Sequence, residues 1–155
     1  MNTSQYFNLI VTLTNLAGLY TIRFSYQNHM YFDMILIFFT MCASILHHIS
    51  AINRGLDAIY FVSYTNELLW FDRIMAFSSI IRMLYLVYVY NIHIRANSID
   101  YMLVILALFC LFYSDVIMYH NNTFDKQFRY CFTHSIWHVL AFYTAKIVLS
   151  YSNII

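Results

Sequence analysis

The sequence predicts an all-α fold: a polytopic membrane helix bundle of about five transmembrane helices, forming a single domain over residues 1–155. Three observations predict it. First, 62% of the residues are hydrophobic and only 10% are charged. A soluble domain carries roughly 25% charged residues to cover a surface that faces water. Second, the mean hydropathy is +0.63, and the apolar residues gather in long stretches. A crossing needs about 20 helical residues for a hydrocarbon core about 30 Å thick. Third, the chain holds no Pro and only two Gly, so little interrupts a long helix. The alternation expected of an outer-membrane barrel is absent.

The spans follow in order. The first runs from about Tyr6 to Ile22 and is ended by Arg23. Met1 to Gln5 contains no Lys or Arg, unlike the cationic start of a signal peptide, so this run is expected to be a retained helix. The second runs from about Tyr31 to Ser50. The longest connector, Ala51 to Glu67, follows it, and its segment Leu56 to Val62 mixes apolar and charged residues. That mixture predicts a stretch lying along the membrane interface. The third span, about Leu68 to Tyr90, carries Asp72, Arg73 and Arg82. The fourth runs from about Ile99 to Tyr119 and the fifth from about Cys131 to Tyr151. Backbone polar groups find no water in hydrocarbon, so each run is expected to be helical. Tyr is frequent near the span ends, as interfacial anchoring favours.

Charge and cysteine content exclude some partners. A formal net charge of +1 gives no field that would draw in nucleic acid. The partner expected is membrane lipid. Cys42, Cys110 and Cys131 are odd in number and form no C-x-x-C pair, so no disulfide framework is expected. Orientation is nearly balanced. Arg54, Lys126 and Arg129 fall in loops on the N-terminal side, Arg23 and Arg95 on the other. The two glycosylation sequons, Asn2-Thr3-Ser4 and Asn121-Asn122-Thr123, both fall on the N-terminal side and favour a lumenal or extracellular N-terminus. The Ile-, Asn-, Tyr- and Phe-rich composition points to an AT-rich genome, of a large DNA virus or a protist; a viral source would make the membrane that of the host.

Polar residues within the spans carry the chemistry, because ionisable groups there are costly and are functional by default. Span two ends in Ser44-Ile45-Leu46-His47-His48, span three begins Leu68-Leu69-Trp70-Phe71-Asp72, and span five begins Thr133-His134-Ser135-Ile136-Trp137-His138. With five crossings, all three segments meet the same membrane side. At 1.5 Å rise per residue His48 lies roughly 3 Å inside its span end, His134 roughly 4.5 Å, Asp72 roughly 6 Å, Ser44 roughly 9 Å and His138 roughly 10 Å. Ser44 and His48 are four residues apart and share a helix face, as do His134 and His138. His47 points about 100° away from His48, and only His48 aligns with Ser44.

His48, His134 and His138 can bind Zn²⁺ and leave a fourth position for water, whose pKa bound zinc lowers to about 7. Asp72 could take the proton of that water, and Ser44 could position the water or a carbonyl. The nearest nitrogens of the three histidines are then expected within about 4 Å of one another. Against this stands the plain reading in which a histidine near a helix end is an interfacial side chain and Ser44 a small packing residue. His29, His93 and His120 fall in loops and receive no role.

The order S-x-x-x-H, Asp, H-x-x-x-H resembles the CREST superfamily of membrane hydrolases. That group includes alkaline ceramidases, adiponectin-receptor-like proteins and the myomaker / transmembrane protein 8 branch. Similarity to the last branch rests on Tyr31-Phe32-Asp33, Phe38-Phe39-Thr40-Met41 and His48, on SYTNELLWFD at Ser63 to Asp72, and on HSIWHVL at His134 to Leu140. Asp72 follows His48 by 24 residues (72 − 48), a gap like that of the branch. The resemblance covers about residues 6–92 and 128–150 and implies zinc-dependent hydrolysis of lipid amides or esters. The family has seven helices where this chain has room for five, the missing pair falling between the third and the last.

Three functions remain open on the sequence. One is a zinc-dependent lipid hydrolase with Asp72 and Ser44 catalytic. Another is a non-catalytic membrane-remodelling or cell-fusion factor of the myomaker type. The third is a small structural membrane protein without metal.

Overall fold

A computed structural model describes residues 1–51, 56–117 and 123–153, the side chains of 115 and 117 apart. Arg54, His120 and the Asn of the second sequon lie outside the described residues. Every regular element among the described residues is helical. Helix α1 (Thr3–Thr14) starts at a reciprocal cap. The Asn2 side chain accepts from the Gln5 backbone N–H, and the Gln5 side chain accepts from that of Asn2. A 3-10 turn (Asn15–Ala17) joins α1 to α2 (Gly18–Gln27), making one rod. His29, with φ 59°, turns the chain into α3 (Tyr31–Ser50). Helices α4 (Thr65–Val89), α5 (Ile92–Arg95), α6 (Ser98–Ile117) and α7 (Phe124–Ser152) complete the bundle. Asn97 and Asp100 cap each other at the start of α6, at 3.0 and 3.1 Å.

The five apolar stretches fall on these helices, except for Tyr90, which caps the end of α4, and residues 118–119, which lie outside the described ones. Among the described residues α3 is the one helix long and apolar enough by length and composition to cross a membrane; α6 holds a shorter apolar stretch, Ser98–Ser114. Helix α7 packs along α6, the α1–α2 rod and α4, while α3 packs against α4 and the rod. A core of Ile37, Met41, Leu86, Phe142 and Leu149 joins α3, α4 and α7. Cys42, Cys110 and Cys131 are free thiols.

The rod carries its polar groups inward. Ser4, Asn8, Thr12, Asn15, Thr21 and Ser25 are buried, whereas Tyr6, Ile10, Leu13, Leu16, Leu19 and Tyr20 are exposed. The buried hydroxyls are satisfied by backbone carbonyls: Thr12 donates to Asn8 at 2.8 Å, Thr21 across to Phe142 on α7 at 2.8 Å, and Ser25 to Thr21 at 2.9 Å. In water this pattern would be inverted, because apolar residues would fill the interior.

Gly18 brings the rod close to α3 and α7. A Cβ there would sit 3.1 Å from Phe142 Cε1 and 3.2 Å from Met41 Sδ. Its backbone is ordinary right-handed helix, so it is space and not backbone conformation that favours a small residue there. Gly18→Leu should lower the thermal midpoint in detergent, because overpacking costs about 1–3 kcal/mol. Gly18→Ala should change it little, since a helix-propensity gain of up to about 1 kcal/mol offsets the crowding. Equal tolerance of alanine and leucine would show that the rod does not pack this closely.

The connector after α3 is anchored to the bundle at its start. Leu56 turns inward and packs with Val11, Tyr130 and Cys131. The first turns of α1 draw it in. Ser4 Oγ accepts the Asp57 N–H at 2.7 Å, Asn2 donates to the Asp57 carboxylate at 2.7 Å, and Asn8 donates to the carbonyls of Ala51 and Asp57 at 3.3 Å each. Polar residues on α1 thus satisfy connector backbone that the interface would otherwise have to solvate. Asp57, Tyr60, Phe61 and Val62 stay exposed.

Helices α3 and α4 are joined by a polar seam. Arg82 grips Asp33 with two bonds, 2.7 and 3.0 Å. Thr40 meets the Ser79 hydroxyl at 2.7 Å and donates to the Met75 carbonyl at 3.2 Å. Nearer the end of α3, the Ser44 hydroxyl lies beside the Asp72 carboxylate. Partner numbers on α4 fall as those on α3 rise, as an antiparallel pair requires.

Candidate metal centre

Helices α3, α4 and α7 build the site. The last turns of α3 carry Ser44 and His48 on one face, and both are buried. Helix α7 carries His134 and His138 on one face, and both are buried. One ligand atom from each of His48, His134 and His138 lies within 4.8 Å of the other two. The ring centroids form a near-equilateral triangle: 5.1 Å for His48–His134, 5.0 Å for His48–His138 and 4.7 Å for His134–His138. Tetrahedral zinc with Zn–N bonds of about 2.0–2.1 Å would bring its nitrogens to about 3.4 Å apart. The set is therefore looser than the expected 4 Å and would tighten by a side-chain adjustment on loading.

Asp72 does not belong to that set of mutually close ligand atoms. It lies beside Ser44, which is one turn from His48 on α3. Arg82, which shares α4 with Asp72, is paired with Asp33. His47 packs beside the His48 ring, centroids 5.1 Å apart, and stands outside the triangle. Three buried histidines can hold a metal ion; nitrogen donors of this number suit zinc, with an open position left over.

Sequence reasoning missed the groups behind the ligands. His134 Nδ1 lies 3.1 Å from Ser114 Oγ on α6. His138 Nδ1 lies 3.1 Å from Thr14 Oγ1 and 3.3 Å from the Val11 carbonyl on α1. Tyr130 stacks on His134, centroids 4.9 Å apart. Ring nitrogens turned outward onto oxygen are the usual support of metal-ligating histidines. Of the residues singled out in the sequence, the structure brings together His48, His134 and His138, and separately Ser44 and Asp72. Comparison with family models, with curated proteins and with solved structures gives no match.

Proposed function

We propose that this chain is a multi-pass membrane protein whose three-histidine site holds Zn²⁺ and hydrolyses an amide or ester bond of a membrane lipid. The metal reading is carried by the triangle of buried imidazoles. The membrane reading is carried by the inverted rod, apolar outside and polar inside. Five crossings follow from the five apolar helical runs, and they put the chain termini on opposite sides. Tags at each end, tested for protease access in sealed vesicles, should be cut from opposite faces. Cleavage of both from the same face would rule out an odd number of crossings.

Bound zinc would supply an acidified water and polarise a lipid carbonyl. The chain's own residues supply the rest. Asp72 takes the proton of the attacking water and delivers it to the leaving nitrogen or oxygen. Ser44, beside Asp72, orients the carboxylate. The buried setting keeps bulk water from the reacting carbonyl. Fatty acid released from a panel of ceramide, phospholipid and lipid-anchor substrates tests this reading.

A second reading keeps the metal and drops the reaction: a membrane-remodelling or fusion factor of the myomaker type. It rests on the resemblance of Ser63 to Asp72 and His134 to Leu140 to that branch. Zinc-loaded protein that cleaves no lipid in the panel, and an Asp72→Asn variant with its biological effect intact, would favour it.

A further inference from the structure

The rod α1–α2 contains a break that no Pro explains. At Asn15 the backbone N–H turns to the carbonyls of Thr12 and Leu13, and the helix tightens into a 3-10 turn. The Val11 carbonyl, which a continuous α-helix would engage with that N–H, instead accepts from side chains. Thr14 Oγ1 donates to it at 2.7 Å and Asn15 Nδ2 at 3.3 Å. His138 Nδ1 lies 3.3 Å from the same oxygen.

These contacts decide where the His138 proton sits. A carbonyl oxygen only accepts, so a bond to Val11 requires Nδ1 to carry hydrogen. The Thr14 hydroxyl has one proton and directs it to Val11, so its lone pairs face His138 Nδ1 at 3.1 Å. Both partners demand the same tautomer. His134 meets the same arrangement on the other side of the bundle. Ser114 Oγ donates to the Leu111 carbonyl at 2.8 Å and lies 3.1 Å from His134 Nδ1, so it too is an acceptor for a ring N–H. A neutral imidazole with hydrogen on Nδ1 has a bare lone pair on Nε2, and Nε2 is the atom left to meet a metal.

We infer that Thr14 and Ser114 are positioning residues that fix His138 and His134 as Nδ1–H tautomers, so that both present Nε2 to one ion. The inference adds α1 and α6 to a site otherwise built from α3, α4 and α7, and its value for catalysis rests on the zinc reading above. Each hydroxyl is itself oriented by a carbonyl of its own helix, so neither can turn round to donate to the ring without abandoning that bond. The rings are thereby prepared for metal before any metal arrives, which removes the need to relocate a proton on binding.

The test reads the tautomers directly, in metal-free full-length protein in detergent, at a pH where the rings are neutral. Imidazole ¹⁵N–¹H correlation spectra should show the Nδ1–H pattern at both His134 and His138. Ser114→Ala should lose that pattern at His134 and weaken zinc binding about 10–100-fold, and Ser114→Thr should restore both. Thr14→Val should keep the pattern at His138, because the Val11 carbonyl remains, yet weaken zinc binding by a smaller factor; Thr14→Ser should restore it. An Nε2–H pattern at either ring of the wild type overturns the inference, as does unchanged zinc affinity in a folded Ser114→Ala variant. Wild-type protein that shows both Nδ1–H patterns but binds no zinc would leave the tautomer assignment standing and remove the metal reading.

Discussion

His138→Ala should abolish zinc binding and lipid hydrolysis together, whereas Asp72→Asn should leave zinc bound and lower the rate by about 10²–10⁴. The two outcomes differ because the two groups stand in different places. His138 is one of three mutually close ligand atoms, and its loss leaves two imidazoles, fewer than the three protein ligands of zinc catalytic sites. Asp72 lies outside that set, beside Ser44. Its amide replacement keeps shape and hydrogen bonding but cannot take a proton. Metal content by mass spectrometry and turnover on the lipid panel, measured on the same preparations, separate the roles. Loss of zinc from Asp72→Asn would make Asp72 a ligand and end the base assignment.

Arg82→Leu should destabilise the protein by about 3–5 kcal/mol, the usual consequence of breaking a buried ion pair by removing one partner. Asp33 keeps 3% side-chain exposure and Arg82 26%, so the two deletions are not equivalent. Without Arg82 the Asp33 carboxylate is left buried with its cation gone. Without Asp33 the longer Arg82 can extend toward the polar boundary, and it keeps the rings of Phe32 and Tyr85 at 5.2 and 5.6 Å. Asp33→Leu should therefore cost less. The double leucine variant should recover most of the loss, because it buries no unpaired charge. Denaturation midpoints in detergent give the ordering. A double variant as unstable as Arg82→Leu alone would mean that the pair is needed for more than charge compensation.

The ligand triangle was legible because two pairs of residues spaced four apart fell at one depth, and spacing survives whatever the helices do. Asp72 and Ser44 were legible for the same reason. Thr14 and Ser114 were not, though the same depth argument admits them. Thr14 lies roughly 12 Å inside a span starting at Tyr6 and Ser114 roughly 7.5 Å inside one ending at Tyr119. Hydroxyl residues are so common at helix contacts that depth alone does not single them out. The break at Asn15 left no trace in composition, since it depends on which donors reach the Val11 carbonyl. Asp33 was passed over because a carboxylate in the first turn of a helix is ordinary; only the antiparallel register of α3 and α4 reveals its partner. The inward turn of Leu56 was hidden likewise, because it depends on hydroxyl and amide groups on α1, some 50 residues earlier in the chain.

The polar seam makes the α3–α4 hairpin behave as a vernier. Its marks are Asp33 on Arg82, Thr40 on Ser79 and Ser44 on Asp72. Sliding one helix by a single turn, about 5.4 Å, would misalign every mark at once, so no neighbouring setting is half as good. Intermediate settings are closed because each mark is polar and, if unmatched, would be left at the helix contact without its partner. The hairpin is read out at its far end, where His48 stands 15 residues along α3 from Asp33, roughly 22 Å away. The height of the His48 imidazole on one side of the bundle is thereby gauged by an ion pair on the other. A change at Asp33 or Arg82 can detune the imidazole triangle without touching any residue in it.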